Sequence, residues 1–351
     1  MRFGIDLTAC WRPRVGMVTA SVELARALLE AGRQHDWVIF GSREPLPSLP
    51  AEWVLSPHRQ EVANKLLWLP GAEVRPGLDA ILYPYWPSPP LRRPAAPPAV
   101  VAVHDLAFRL RPREVPWQQR LYLGRLLPRA LRTAARVIVP SAATRADLAR
   151  LFPAWAGKVA VVPEGPTPLP PAGRLPDGLK PGFVLAVGTL EDRKNYGRLA
   201  QAYARLENPP PLVIAGRPGW NGAPPPSGPG IRVLGHVGDA ELAALYEAAA
   251  VLAFPSLYEG FGLPLLDAMK RGLPALVSDG GALPELAGDA ALAVDPEDVA
   301  AIAAGLRRLL EDEALRERLG GEGRRRAVEF SWDRAGEAVL GILVEATRYD
   351  R

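Results

Sequence analysis

Four stretches of this sequence bring together residue types that do chemistry. Gly188-Thr189 closes an apolar run and is followed within a few positions by Arg193-Lys194-Asn195. Glycine lets a backbone approach a ligand closely, and Arg and Lys near a helix start supply a planar fork and a compact charge where amides also attract anions. The chemistry that fits is a seat for a diphosphate held without a metal. A lone Arg-Lys pair is, however, more often simply surface charge. In Phe254-Pro255-Ser256-Leu257-Tyr258-Glu259-Gly260-Phe261-Gly262-Leu263-Pro264, a carboxylate sits in a glycine-freed loop ahead of a helix that opens on proline. Glu259 can accept hydrogen bonds from sugar hydroxyls, amides at Gly262 and Leu263 can donate to phosphate, and Asp267 can grip a second diol. Each acid taken alone is equally well a partner of the helix dipole. His104-Asp105 follows an apolar run, where a histidine can donate to a hydroxyl or carbonyl, although a lone histidine there is more often structural. Gly16, after Trp11-Arg12-Pro13-Arg14-Val15, suits a first βα loop that turns a helix amino terminus toward a ligand.

Elements that position such residues at strand ends are legible in the pattern. Short Val/Ile/Ala-rich runs alternate with amphipathic stretches, the signature of βα units around parallel sheets. Strands are expected at Arg2–Leu7, Trp37–Phe40, Ala80–Tyr83, Val100–His104, Val137–Pro140 and Val159–Val162, with helices at Thr19–Ala31, Trp117–Ala134 and Ala142–Leu151. From Pro163 to Gly182 there are seven prolines and four glycines, which reads as an interdomain linker. Strands resume at Phe183–Val187, Leu212–Ala215, Ile231–Leu234, Val251–Phe254, Ala275–Ser278 and Ala291–Val294. Gly219–Gly230 reads as a loop, and helical periodicity spans Glu297–Glu329 and Trp332–Arg348. The expected architecture is α/β, two Rossmann-like parallel-sheet domains facing a cleft, at 1–170 and 171–330, with 331–351 a terminal helix.

Composition narrows the classes further. At 351 residues the chain has room for two cores, and 48% hydrophobic with 23% charged is ordinary globular usage. A single cysteine, Cys10, excludes an intramolecular disulfide and a Cys-rich zinc site, which suits a reducing cytoplasm. Neither a secretory leader nor an 18-residue apolar span is evident, so a cytoplasmic protein is expected. Before residue 170 there are 22 Lys+Arg against 13 Asp+Glu, and after it 20 against 25. Between Arg109 and Arg136, eight arginines face one acid, Glu114. Phosphate-bearing partners or an anionic membrane surface would be drawn there, and the alternative reading of the run is a solvated helix face; no nucleic-acid motif accompanies the charge. Walker, Gly-x-Ser-x-Gly, His-Glu-x-x-His and Asp-x-Asp patterns are absent, so neither a metal nor another cofactor is expected.

Taken together, Val187 to Asn195, Glu259 to Asp267, Val103-His104-Asp105-Leu106, Val161-Val162-Pro163-Glu164-Gly165 and Ser278 to Glu285 make the chain resemble the retaining glycosyltransferases of family 4, on the GT-B fold, from residue 4 to about 332. The resemblance implies a nucleotide-sugar donor and a hydroxyl acceptor, lipid-linked or polysaccharide, with peripheral membrane contact on the inner face. It implies that Arg193 and Lys194 bind the donor diphosphate, Glu259 holds sugar hydroxyls, His104 contacts the sugar near the reacting carbon and Gly16 approaches the phosphates. Relatives carry a second glutamate after seven intervening residues, where this sequence has Asp267, one methylene shorter, whose implied partner is the ribose. The terminal helix is implied to cross back onto the first domain. Among mannosyltransferases the likeness favours GDP-mannose, with UDP-glucose close behind. A nucleotide-sugar epimerase or hydrolase on the same fold, or a noncatalytic phosphate-surface module, are the competing readings.

Overall fold

The computed structural model describes every residue except 11–15, 43, 47, 59, 86–87, 220–224 and 349–351. The Trp11-to-Val15 half of the first βα loop and the centre of the Gly219–Gly230 loop therefore lie outside the described residues. The described residues form two compact units.

The first unit comprises Met1–Arg109, Trp117–Gly165 and Ser331–Arg351. Its strands are β1 (Arg2–Asp6), β2 (Asp36–Gly41), β3 (Glu52–Leu55), β4 (Ala80–Tyr83), β5 (Ala99–Ala102), β6 (Arg136–Val139) and β7 (Val159–Val161), all parallel, in the order β3-β2-β1-β4-β5-β6-β7. β4 and β5 are buried throughout, as a strand covered on both faces must be, which is why their sequences are unbroken apolar runs. β3 was not expected: it is a half-exposed edge strand whose Glu52 and Leu55 lie open, so no apolar run announces it. The helix Trp332–Ala346 packs on the helix Gly16–Ala31 within this unit. Gly336 makes the approach feasible, since a Cβ there would lie 2.7 Å from the Ala27 backbone.

The second unit comprises Leu110–Pro116 and Pro166–Phe330. It holds β8 (Val184–Val187), β9 (Leu212–Ala215), β10 (Ile231–Gly235), β11 (Val251–Phe254), β12 (Ala275–Ser278) and β13 (Leu292–Val294), parallel, in the order β10-β9-β8-β11-β12-β13. Both sheets reverse their winding beside the first strand, at β1/β4 and at β8/β11, and ligands of such sheets bind beyond the carboxyl ends at that reversal.

Two expectations need correction here. The proline-rich stretch is not a free linker: from Pro166 it straps the second unit, with Leu169, Leu175 and Leu179 packed on its core. Gly173 N donates to Ala240 O at 2.8 Å and Gly182 N to Ala248 O at 2.8 Å. Extended, proline-fixed chain needs no helical or strand period to bury a leucine every few residues, so periodicity missed it. The Glu297–Glu329 pattern is two helices, Val299–Glu311 and Glu313–Ala327, divided at Asp312, whose carboxylate caps the second by accepting from Leu315 N at 2.8 Å. Among the described residues no helix is long and apolar enough to cross a membrane.

Candidate active site

Sequence positions 65 apart meet because β8 and β11 are neighbours. The segment after β8 starts at Gly188, whose φ of +143° favours glycine. A Cβ there would come within 3.0 Å of Lys194 Cε and 3.2 Å of the Tyr196 hydroxyl. Tyr196 donates to Gly188 O at 2.9 Å, which closes the turn. A short 3₁₀ turn, Asp192–Lys194, then passes through Asn195 at φ 61° into the helix Tyr196–Tyr203. Asn tolerates that left-handed conformation better than most residues. Its side chain is buried and donates to Pro255 O at 3.0 Å and Pro296 O at 2.6 Å. Leu257 N donates to Arg193 O at 2.8 Å. The segments after β8, β11 and β13 are thus stapled together, and the backbone under Arg193 and Lys194 is fixed.

On this platform Glu259 accepts from Lys194 Nζ at 2.6 Å through Oε1 and from Arg193 Nη1 at 2.9 Å through Oε2. Arg193 Nη1 also donates to Tyr258 O at 2.8 Å, and Glu191 lies 3.7 Å from its Nη2. Lys194 stands 4.8 Å from the centroid of Phe254. Burial alone would raise the Glu259 pKa, but Arg193 and Lys194 overcome it and hold the carboxyl at about 2. The same burial lowers the Lys194 pKa, with Glu259 opposing. The result is a desolvated cluster of two cations around one carboxylate, with lone pairs and N–H groups suited to an oxyanion and to hydroxyls.

The helix Leu263–Arg271 begins directly beyond this segment. Gly262 precedes it at φ +118°, where a Cβ would strike Leu283 Cδ2 at 2.6 Å, and Pro264 occupies the first turn. Leu263 therefore presents the positive end of a helix dipole at the carboxyl edge of β11. Asp267, one turn on, is buried and accepts from Thr167 N at 2.7 Å. Burial pushes its pKa up to about 6, against the lowering effect of the Thr167 hydrogen bond. This carboxylate ties down the strap.

In the first unit, His104 lies just past β5, its Nδ1 3.0 Å from Glu164 Oε1 and its Nε2 2.7 Å from Pro84 O. Burial lowers its pKa but the Glu164 hydrogen bond and charge more than reverse this, so the net shift is upward. A carbonyl and a carboxylate both accept, so the ring is satisfied best as imidazolium with both nitrogens donating. Gly16 starts the helix Gly16–Ala31 with open space where its Cβ would be. The site residues thus fall into a tight group, Gly188, Arg193, Lys194, Glu259, Gly262, Leu263, with Asp267 behind it, and a separate pair of places, His104 and Gly16, in the first unit. Sequence reasoning passed over the roles of Glu164, Asn195 and Thr167. The signal for Asn195 was an Asn directly before a helix, where a left-handed residue ends one turn and begins the next.

Residues 174–326 match the family model described as glycosyl transferases group 1, and residues 15–166 match that of glycosyltransferase family 4. The chain is 34% identical over 255 residues to the O-antigen chain mannosyltransferase B of Escherichia coli, covering 67% of this chain and 67% of that protein. It is 46% identical over 112 residues to the MMP alpha-(1->4)-mannosyltransferase of Mycolicibacterium hassiacum, which covers 31% of this chain and 27% of that one. Its fold is like that of sucrose-phosphate synthase from Thermosynechococcus elongatus, with TM-score 0.75 and 22% identity over 98% of each chain. It is also like that of Anabaena Alr3699/HepE in complex with UDP-glucose, with TM-score 0.73 and 16% identity over 98% of this chain and 100% of the other. The two Rossmann-like sheets, the cation-carboxylate cluster at the second sheet's reversal point and these matches lead to one conclusion: the chain belongs to glycosyltransferase family 4, on the GT-B fold.

Proposed function

We propose that the protein transfers a hexose from a nucleoside diphosphate to a hydroxyl acceptor with retention at the anomeric carbon, without a metal ion. The observation that carries the reading is the geometry of Arg193 and Lys194, two fixed cations converging on one carboxylate beyond β8 and β11. A diphosphate offers those cations negative charge, as Glu259 does, and more of it. Once it is bound, Glu259 lone pairs are available for hydroxyls of the donor sugar. A carboxyl held at about 2 is a poor general acid at neutral pH, and its ion pairs make it a weak nucleophile, which argues against a two-carboxylate retaining mechanism. Instead the acceptor oxygen attacks the anomeric carbon on the face that the diphosphate leaves. The carbon–phosphate oxygen bond breaks as the new glycosidic bond forms, and the acceptor proton passes to the departing diphosphate. Arg193 and Lys194 offset the charge that develops there, an effect worth on the order of 3 kcal/mol per donor group. His104 is the first unit's candidate for contact with the sugar, although Glu164 and Pro84 O occupy both its nitrogens, so a sugar hydroxyl would have to share or displace one of them.

Mannose is the proposed hexose and GDP its carrier; two of the curated relatives are named mannosyltransferases, and the Anabaena neighbour was solved with UDP-glucose. The acceptor class proposed is a growing polysaccharide or lipid-linked saccharide, and the place of work is the cytoplasm. The test is a thermal-shift and turnover comparison of GDP-mannose and UDP-glucose, with and without a chelator, since a ligand specific to the folded state raises the melting temperature. Stabilisation and chelator-resistant transfer are expected. Reversible loss of activity with chelator, or donor epimerisation or rapid hydrolysis without any acceptor, would overturn it.

A further inference from the structure

Between β11 and Glu259 lies a hydroxyl that the cation-carboxylate cluster leaves unused. Ser256 is fully buried, and its Oγ has no well-aligned hydrogen-bond partner among the described residues. Taking a hydroxyl out of water without a bond costs free energy, so native proteins keep few such groups, and often at functional sites. The backbone on either side is pinned. Pro255 O accepts from Asn195 Nδ2 at 3.0 Å, and Leu257 N donates to Arg193 O at 2.8 Å. Ser256 is thereby held where it is and cannot reach another partner by a shift of its loop. The charged group beside it is Glu259. Burial raises the Glu259 pKa, Arg193 and Lys194 more than reverse this, and the Ser256 hydroxyl adds to the lowering with less weight than either cation.

Both Glu259 oxygens are engaged here, Oε1 by Lys194 Nζ at 2.6 Å and Oε2 by Arg193 Nη1 at 2.9 Å. A diphosphate competes for both cations, and every charge-assisted bond it gains weakens one that Glu259 holds. A buried carboxylate that loses donors either takes up a proton or shifts, and in both cases it stops serving sugar hydroxyls. A serine hydroxyl can rotate to donate wherever an acceptor becomes available. We infer, on the donor chemistry proposed above, that Ser256 is a positioning residue for the transfer: as the diphosphate draws Arg193 and Lys194 away, its hydroxyl donates to Glu259 and keeps that carboxylate charged and in place for the sugar. Ser256 has no exposed surface of its own, so it touches no ligand and acts only through Glu259. Its unmade bond is the reserve that the bound state uses.

The experiment compares the full chain with Ser256→Ala, Ser256→Cys, Glu259→Gln and the double variant Ser256→Ala/Glu259→Gln. It reads the melting temperature without ligand, the affinity for GDP and for UDP, and kcat with GDP-mannose and with UDP-glucose. Ser256→Ala should melt at or slightly above the parent's temperature, because it removes a buried hydroxyl that makes no bond. It should nevertheless bind the diphosphate on the order of tenfold more weakly, the worth of a hydrogen bond to a charged group, and its kcat should fall. Ser256→Cys, similar in shape but a weaker donor, should lie between alanine and the parent. In the Glu259→Gln background the change to alanine should cost less than about twofold, since the charge it served is gone. Parent-like affinity or parent-like kcat in Ser256→Ala would overturn the role. So would a melting temperature that falls in step with affinity, or the full loss persisting in the Glu259→Gln background. If neither GDP nor UDP binds the parent, the donor reading fails and this role with it; if one binds and Ser256→Ala binds it equally well, the role alone fails.

Discussion

At the reversal point of the second sheet, β8 and β11 deliver Lys194, Arg193 and Glu259; at the same place in the first sheet, β1 and β4 deliver Asp6 and Tyr83. Both groups pair oppositely charged side chains, yet their environments differ. Asp6 and Lys65 form an ion pair with both side chains 1% exposed, and Asp6 accepts further from Thr8 N at 3.0 Å and Thr8 Oγ1 at 2.7 Å. Tyr83 donates to Glu73, which Arg92 Nε approaches at 3.2 Å. There burial wins and the Glu73 pKa rises despite Arg92. At the second sheet the two cations win over burial and hold Glu259 at about 2, while Arg193 keeps 17% of its side chain open. Common winding fixes where a polar cluster forms. What separates the two clusters is how many cations face each carboxylate and whether any of them remains reachable.

Mutations at the two clusters can break this contrast. The largest effect is expected from Lys65→Met, which leaves Asp6 as an unpaired buried charge and should cost about 3–5 kcal/mol of stability. Denaturant midpoints check it, and a loss under 1 kcal/mol would show that the first cluster is not structural. Lys194→Ala, and separately Arg193→Ala, should lower turnover about 100-fold or more, roughly 3 kcal/mol. Stability should fall less than in Lys65→Met, because the remaining cation still neutralises Glu259. Steady-state kinetics on both variants decide this, and turnover equal to the parent's would remove the cations from the mechanism.

A pH series sharpens the same contrast through two carboxylates of one segment. Asp267 is raised from 3.8 to about 6 in the folded chain, so its share of stability is full below about 4 and is lost as pH rises through about 6. Glu259 is lowered from 4.5 to about 2, so its share is present above about 4.5 and is lost as pH falls toward 2. Asp267→Asn should flatten the decline between pH 4 and 6, a change of roughly 1–3 kcal/mol in urea unfolding. A variant with the parent's slope would show that another group titrates. The smallest effect expected is at Asn195. Asn195→Gly keeps the left-handed turn but loses two hydrogen bonds, about 2 kcal/mol of local order, of which about 1.4 kcal/mol, a tenfold loss, should appear in donor kcat/KM. Asn195→Ala adds backbone strain and should be worse. Equal kcat/KM in all three would leave the staple without a positioning role.

Most strands were legible because a parallel strand covered on both faces must be apolar throughout, as Leu212–Ala215 and Val251–Phe254 are. The half-exposed β3 was not, and neither was the π-helical turn Asn64–Trp68 that carries Lys65 to Asp6, since no local pattern marks either. Glycine-flanked charge at strand ends marked Arg193, Lys194 and Glu259 as candidates, and only the family resemblance raised them above surface charge and helix-dipole partners. Their convergence, and Glu164 as the partner of His104, could not be read from spacing.

The sequence by itself determined which residues are apolar enough to become parallel strands and which charged groups stand at their carboxyl ends, because burial and backbone preference act over a few residues at a time. Tertiary structure alone decided which of those groups meet, and hence that Glu259 is ionised between two cations while Asp267 titrates near 6 on the strap. Charge–charge energies depend on distance and desolvation, and both are set by which strands lie side by side.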